Sequence, residues 1–539
     1  MRKRFVLFFS VLVFVAAVAV TGVAVGLVAL LWEPAVQVRV ERADAAPLSA
    51  LLTVEARRPV RVELHMSSPQ RGSPELRADF DEYRRRHELP VLGLHPDAKN
   101  RLRIVTVEED GHTKTHERTV QTPPLPDRYP EVEVARARPD RESEGLFLLQ
   151  LAAYDEEGDY HPLASAVDSH GNVRWLYTED FGHLLSPLRN GNLMVQKDDD
   201  IVEIDWLGRR TGKRWTVPEG LHHDAVELPD GNFLALSAAP GSFDDGMVEI
   251  DRDSGRVARS FDFREILDPR RPRQPINLED ADWLHLNGVD YDAADDAAVV
   301  SGRDQSAVVK VDLDSGEPVW ILSSHTHWSE EFAPYLLEPT GEPFEWSWGQ
   351  HAPELYRSAT DAVGPAAGPA AGESEQMNGE DTAASGLPSH VRRVLVYDNG
   401  NHRSYDDPLP PDENYSRAVE YEIDEAAGTV EQRWQYGKER GSELFTPFIG
   451  DADYLPNGNR LVVFGGISRD LDGRPQALFD LDAMEVNDMK ISARVVEVTD
   501  GTPARRVVEL GFEDPDPDTY AGYRIYQAEK IRFYDEGSP

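Results

Sequence analysis

The sequence predicts an all-β molecule: a six-bladed β-propeller preceded by an N-terminal membrane helix and a small β-sandwich domain. Three observations predict it. Residues 5–32 are free of charge and almost wholly apolar, behind the basic start Met1-Arg2-Lys3-Arg4. Residues 36–135 alternate apolar and polar positions in short runs between turn residues. Beyond them, two hairpin signatures repeat and interleave almost to the C-terminus.

The apolar run is long enough to cross a hydrocarbon core, which needs roughly 20 residues. It exceeds the apolar region of a cleaved signal peptide, about 7–15 residues, and Trp32-Glu33-Pro34 is not a small-residue cleavage site. Residues 1–35 are therefore expected to be a single-pass anchor in the cell membrane. Its basic start stays cytoplasmic, and the bulk of the chain is extracellular.

Residues 36–135 contain Val36-Gln37-Val38-Arg39-Val40, Leu51-Leu52-Thr53-Val54 and Val60-Arg61-Val62-Glu63-Leu64. Period-2 runs at this spacing predict a small fibronectin-like sandwich, closed by the Pro-rich linker Thr122-Pro123-Pro124-Leu125-Pro126.

Residues 136–539 are repetitive. The first unit is an apolar strand, an acidic turn with Gly, and a second strand that often ends in Trp. It appears as Val167-Asp168 through Gly171 to Trp175, Ile204-Asp205 through Gly208 to Trp215, and Ile250-Asp251 through Gly255. It returns as Val311-Asp312 through Gly316 to Trp320, Ile423-Asp424 through Gly428 to Trp434, and a degraded Val498-Thr499-Asp500-Gly501. The second unit is Asn190-Gly191-Asn192, Asp230-Gly231-Asn232 and Asn457-Gly458-Asn459, each after a Leu and before a strand. Asn-Gly and Asp-Gly are strong hairpin signals, and two hairpins make one four-stranded blade. Six copies of the first unit predict six blades. Residues 358–388, rich in Ala, Gly, Pro, Ser and Glu, read as a disordered surface insert, and residues 269–280 as a Pro/Arg-rich loop.

Composition narrows the function. A net charge of -41, from 97 acidic and 56 basic residues, repels a polyanion, so no nucleic-acid partner is expected. Acidic excess with scarce Lys suits a halophilic protein, because salt screens its self-repulsion. The absence of Cys removes disulfides, thiolate zinc sites and cysteine nucleophiles.

The 16 histidines are the natural candidates for chemistry. Those in the N-terminal domain and in polar turns are expected to be solvated. A distinct set begins strands of the repeat region: His222-His223-Asp224, Trp283-Leu284-His285-Leu286-Asn287 and Gly349-Gln350-His351, with Ser301-Gly302-Arg303-Asp304 one strand after the second. Each alone has a structural explanation, as a turn hydrogen bond, a packed core imidazole or a solvated charge. Their similar phase in successive repeats brings them toward one channel. His325 and His327 in Ser323-Ser324-His325-Thr326-His327-Trp328 sit on one face of a supposed strand, half of a metal site without a third ligand.

The runs from His222 to Asn232 and from Asp282 to Val289 resemble the bacterial-type aryl sulfotransferase family. Val299-Val300-Ser301-Gly302-Arg303, Gln350-His351, Tyr397-Asp398-Asn399-Gly400 and the late Pro-Asn-Gly-Asn run continue the resemblance in order. The acidic composition points to a haloarchaeal member. The resemblance implies a six-bladed propeller behind a small β-domain. It also implies transfer of a sulfuryl group between phenols, without a nucleotide donor, through a sulfated histidine. His351 would be the nucleophile, with His223, His285 and Arg303 around the sulfuryl group, and Asn287 and His222 binding substrate. His285 or His223 would protonate the leaving phenolate and deprotonate the acceptor. The partners implied are an aryl sulfate, a phenol and the membrane; no cofactor and no metal are expected, and the oligomeric state is open.

Two other readings compete. One is a non-catalytic, membrane-anchored surface propeller that binds a ligand or a protein partner. The other is a quinone-dependent propeller dehydrogenase, since Thr211-Gly212-Lys213-Arg214-Trp215 is similar to its docking turns. The Lys occurs in this copy alone and no calcium-site pattern accompanies it.

Overall fold

The computed structural model describes residues 36–67, 75–154, 159–273, 282–357, 387–405, 407–477, 489–514 and 522–534. The expected anchor at residues 1–35 and nearly all of the expected insert at 358–388 lie outside these. Among the described residues, no helix is long and apolar enough to cross a membrane.

The N-terminal domain is one hydrogen-bonded, five-stranded antiparallel arrangement organised by the long strand Ala50–Ser67. Val36–Arg42 pairs with its first half, Lys99–Glu108 with its second, and Leu76–Val91 runs along its other edge. The pairing breaks between Glu55 and Val60, where Pro59 cannot donate to a ladder. Val38, Leu52, Val62, Leu64 and Ile104 fill the interior. Three histidines expected to be solvated are buried instead: His65, His87 and His95. His87 Nε2 lies 2.7 Å from the Val60 carbonyl, and burial pushes His95 down to about 4. His87 shares its strand face with Leu89 and Val91, whereas His65 lies on the face opposite Leu64 and Met66, and His95 is in the loop after Val91.

Among the described residues six sheets follow, each built on four strands that run up and down in sequence; in the fifth, Glu338–Thr340 adds a parallel edge to Thr429–Tyr436. The second, for example, is Leu185–Pro187, Leu193–Lys197, Asp200–Ile204 and Arg210–Thr216. The first sheet is the exception, because its innermost strand, Gly522–Ile531, comes from the end of the chain and pairs with Leu146–Tyr154. Val132–Arg136, assigned from sequence to the sandwich domain, pairs with Arg506–Phe512 at the edge of the sixth sheet.

Both sequence units are turns with a stated chemistry. In the first unit the Asp side chain accepts backbone N–H groups across the turn, as Asp168 does from His170 and Asn172, and Asp312 from Ser315. In the second, the closing Asn reaches across to a buried carboxylate at the end of the next strand: Asn192 to Glu203, Asn232 to Glu249, Asn459 to Glu497. The recurring Trp residues are buried: Trp175, Trp215, Trp320 and Trp434 each belong to an apolar cluster that spans two neighbouring sheets. Such clusters join every consecutive pair of sheets, and one of them joins the sixth back to the first. The sheets close on themselves.

A second set of contacts joins the innermost strands. A carboxylate on four of them accepts a backbone N–H from the next: Asp224 from Val289, Asp290 from Leu355, Glu354 from Tyr454 and Asp451 from Ala528. Burial pushes Asp224 up to about 6 and Asp451 up to about 8. Pro90 and Leu92 of the N-terminal domain bond the Tyr534 hydroxyl, and Gly93 accepts from Arg174, which fixes that domain on the first sheet.

Candidate active site

The site lies where the innermost strands begin. His223 (φ 56°) and His285 (φ 53°) both have left-handed backbone, which only a surrounding structure can enforce on a residue with a side chain. At each, the pairing of the first strand with the second slips. The turned backbone aims both imidazoles at one another, with ring centroids 4.7 Å apart. His285 is held there by Asp245, whose Oδ1 accepts the backbone N–H of Leu284 and of His285 at 2.8 and 3.2 Å.

His351 is buried at the start of His351–Leu355. The residue before it is a clamp: the Gln350 amide donates to Ser301 Oγ, Gly302 O and Ala307 O, while its own carbonyl accepts from Asn287 Nδ2 and Ser301 Oγ. Gly349 (φ 60°) allows this approach, since a Cβ there would meet the Asn401 side chain at 2.5 Å.

The protonation of His351 follows from its neighbour. Asn399 Nδ2 donates to the carbonyls of Thr446 and Ile449 at 2.9 and 2.8 Å, which fixes the amide with Oδ1 toward His351 Nδ1 at 2.7 Å. An amide oxygen only accepts, so Nδ1 carries the hydrogen and Nε2 keeps its lone pair. Burial, followed by the Arg303 guanidinium, pushes this imidazole down to about 3. His351 is a neutral base in a dry site.

His285 is set up differently. Its Nδ1 lies 2.6 Å from Asp282 Oδ2 and 3.2 Å from Asp244 Oδ2, while its buried Nε2 has no partner. His223, by contrast, is pushed well below the ordinary range by burial and by the imidazoles around it. Arg303 is anchored by its own Nε on Asp304 Oδ1 at 2.8 Å, and its backbone N–H donates to His285 O. That leaves the terminal amino groups of its fork to meet an anion.

Of the residues singled out from sequence, His223, His285, Arg303 and Asn287 gather with His351 around the ring of Tyr526. The His223 and His351 rings stand 5.9 and 6.4 Å from it, and its hydroxyl donates to Asn287 O at 3.2 Å. His222 is displaced behind His223, its Nδ1 3.0 Å from that of His223 and its Nε2 3.5 Å from Asp244 Oδ1. His325 and His327 do not share a strand face: both are in a turn, where His325 contacts Leu337 O and His327 packs against Tyr405.

Four members were not singled out from sequence. His183 stacks on both His223 and Tyr526, at 5.6 and 5.4 Å, and burial lowers it to about 4. It precedes Leu185–Pro187 as His285 precedes Leu286–Asp292, so the phase rule already pointed to it. Asp282 and Asn399 lie inside runs that carried the family resemblance. Tyr526 had no signal, because its strand belongs to no repeat unit. Donor atoms of His222, His223 and Asp244, and of Asp244, Asp282 and His285, lie close enough for one metal ion each, but Asp282 already serves His285 Nδ1. In the remaining group, Asp292, Asp295 and Glu425 are neutralised by Lys310 and Arg392.

The sequence model of the family described as Arylsulfotransferase (ASST) matches residues 131–363 and 375–524, and that of the Arylsulfotransferase Ig-like domain matches residues 37–123. Arylsulfate sulfotransferase AssT of Escherichia coli is 27% identical over 385 residues, 57% of this chain and 58% of that protein. The enzyme of the same name from Lelliottia amnigena is 25% identical over 545 aligned positions, 78% of this chain and 83% of that protein. The chain thus spans under two thirds of the first relative's length and most of the second's. Among solved structures, Kuenenia stuttgartiensis hydrazine synthase covers 61% of the chain, and the chain 66% of it, at 10% identity and a TM-score of 0.31. That likeness is too slight to bear on fold or function.

Proposed function

We propose, because this chain belongs to the arylsulfotransferase family, that it moves a sulfuryl group from an aryl sulfate ester to a phenol through a sulfated His351. The observation that carries the reading is the fixed tautomer of His351. A buried imidazole whose Nδ1–H is held by Asn399 presents the Nε2 lone pair as nucleophile and stays neutral at working pH.

In the first half-reaction, Nε2 attacks sulfur, the N–S bond forms and the bond from sulfur to the aryl oxygen breaks. Protonated His285 gives its Nε2 proton to the departing phenolate. In the second, neutral His285 takes the proton of the acceptor phenol, whose oxygen attacks sulfur, and the N–S bond breaks to restore His351. His285 suits this task better than His223. Asp282 stabilises its imidazolium, whereas His223 has only imidazoles and burial around it. Arg303 meets the charge on the sulfuryl oxygens. We read the six sheets as blades of one propeller, residues 1–35 as its membrane anchor, and the acidic surface as an adaptation to salt.

The test is p-nitrophenol release from p-nitrophenyl sulfate, with and without a phenol acceptor, in high salt. Wild type should turn over, and donor alone should leave one SO3 group on a peptide containing His351. His351→Ala should retain its circular dichroism and lose both signals. A label on another histidine would refute the assignment of the nucleophile.

A further inference from the structure

We propose that the entrance to the site carries an anion subsite built on Arg524, selecting phenolic substrates with a second, anionic group across the ring from the reacting oxygen. The inference rests on the sulfotransferase reading and adds a substrate class to it.

Arg524 lies on the last strand, two residues before Tyr526. A guanidinium amino group lies 3.4 Å from His183 Nε2, and His183 itself stacks on Tyr526 and His223. Arg524 therefore borders the same histidine cluster. It lies toward the end at which Gly522 pairs with Tyr154, the end where the innermost strands begin with the site histidines. Two strand residues advance about 7 Å, comparable with the distance between opposite substituents of a benzene ring.

Among the described residues the charge of Arg524 has no carboxylate to answer it. Several arginines elsewhere in the sheets do meet carboxylates: Arg252 on Glu203 and Glu227, Arg417 and Arg403 on Asp398, Arg259 on Glu249 and Asp296. Among the described residues, Arg524 meets none; it lies over the rings of Tyr160 and Tyr154, at 4.6 and 5.2 Å. Arg271 also lies over two rings without a carboxylate, but its fork is spent on Gln305, Ser323 and backbone carbonyls, whereas the one hydrogen-bond partner of Arg524 among the described residues is His183. Stacking on aromatic faces, with one amino group turned to His183, leaves the remaining N–H groups of its fork without a partner among the described residues and open to a planar anion, and the half-exposed Tyr160 makes the same place an apolar wall for an aryl ring. A substrate carboxylate on Arg524 would point its phenol oxygen inward, past Tyr526, toward His351 and His285.

The full chain is titrated calorimetrically with 4-hydroxybenzoate and its neutral counterpart 4-hydroxybenzamide at one fixed salt concentration. The same two then serve as acceptors with p-nitrophenyl sulfate. Wild type should bind the carboxylate at least tenfold more tightly, and Arg524→Gln should abolish that preference while Arg524→Lys keeps part of it. The ratio of acceptor kcat/KM values, carboxylate over amide, should fall tenfold or more in Arg524→Gln. Equal affinities in wild type, or a preference that survives in Arg524→Gln, would overturn the subsite. A binding preference lost in Arg524→Gln, in a protein that turns over no sulfate ester, would uphold the subsite and sink the transfer chemistry instead.

Discussion

Asn399 holds His351 through a contact of 2.7 Å between Oδ1 and Nδ1, and two backbone carbonyls stop the Asn399 amide from turning over. One tautomer of the imidazole is thereby selected by a residue that never needs to touch substrate. Asn399→Ala should reduce kcat about a hundredfold, the scale on which a misplaced proton is felt. Asn399→Asp should fare worse, because carboxylate oxygens would face the carbonyls of Thr446 and Ile449. Steady-state rates beside thermal unfolding curves separate the two effects.

The pH dependence of the first half-reaction follows from the same burial. His351 titrates near 3 rather than near 6.5, so lowering the pH from 7 to 5 leaves the nucleophile neutral. A burst of p-nitrophenol, quenched into alkali for detection, should keep its amplitude at pH 5. An amplitude that halves near pH 6.5 would mean the imidazole is open to water.

Asp282→Asn leaves an oxygen that can accept from His285 Nδ1–H but removes the negative charge, and with it the stabilisation of the imidazolium. The loss should be largest where the leaving group most needs a proton. Across a series of aryl sulfates, the variant's rate should fall more steeply with phenol pKa than wild type's, p-nitrophenyl sulfate being affected least. A parallel offset of the two lines would assign Asp282 a purely structural role.

Stability should be limited from both sides. His351, His183 and His95 are held neutral, at about 3, 4 and 4, so an unfolded chain binds protons that the folded one refuses. Stability therefore falls as pH drops from about 6.5 toward 3. Asp451 has the opposite sign: its folded value near 8 lies above the ordinary 3.8, so its contribution is full below 3.8 and lost as pH rises toward 8. Asp451→Asn turns an amide NH2 toward one of the Ala452 and Ala528 N–H groups, so it should lower Tm near pH 4, yet it should flatten the fall in Tm between pH 4 and pH 8 by removing the titration. Differential scanning fluorimetry over that range reads both limbs.

Charge repulsion sets a further expectation. With 97 acidic against 56 basic residues, Tm should climb as potassium chloride is added and level off once the Debye length falls below the spacing of surface carboxylates. A flat response would show that local ion pairs, such as Lys310 among Asp292, Asp295 and Glu425, already absorb the excess.

The repeat was legible because its turns carry fixed chemistry. Asp168, Asp205, Asp312 and their counterparts must accept N–H groups at the same offsets, so Asp and Gly recur and expose the period. The positions of His223, His285 and Arg303 were legible for a related reason: equivalent strand starts converge. What escaped is what periodicity does not encode. Asn399 and Asp282 act through hydrogen bonds whose partners lie elsewhere in the chain or depend on a rotamer. Tyr526 sits on a strand with no hairpin partner next to it in sequence. The buried histidines of the N-terminal domain were misjudged because only His87 shares a strand face with apolar neighbours, while His65 sits on the opposite face of its strand and His95 in a loop, where the local pattern carries no sign of burial.

The strand that closes the ring of sheets, Gly522–Ile531, also carries Arg524 and Tyr526. Its ten residues complete two things at once, the closure of the sheets and the aromatic wall of the histidine cluster. Pairing with Leu146–Tyr154 is what brings Tyr526 against His183, His223 and His351. The cluster is whole only where the sheets are closed, so a change that loosens this one seam disturbs both.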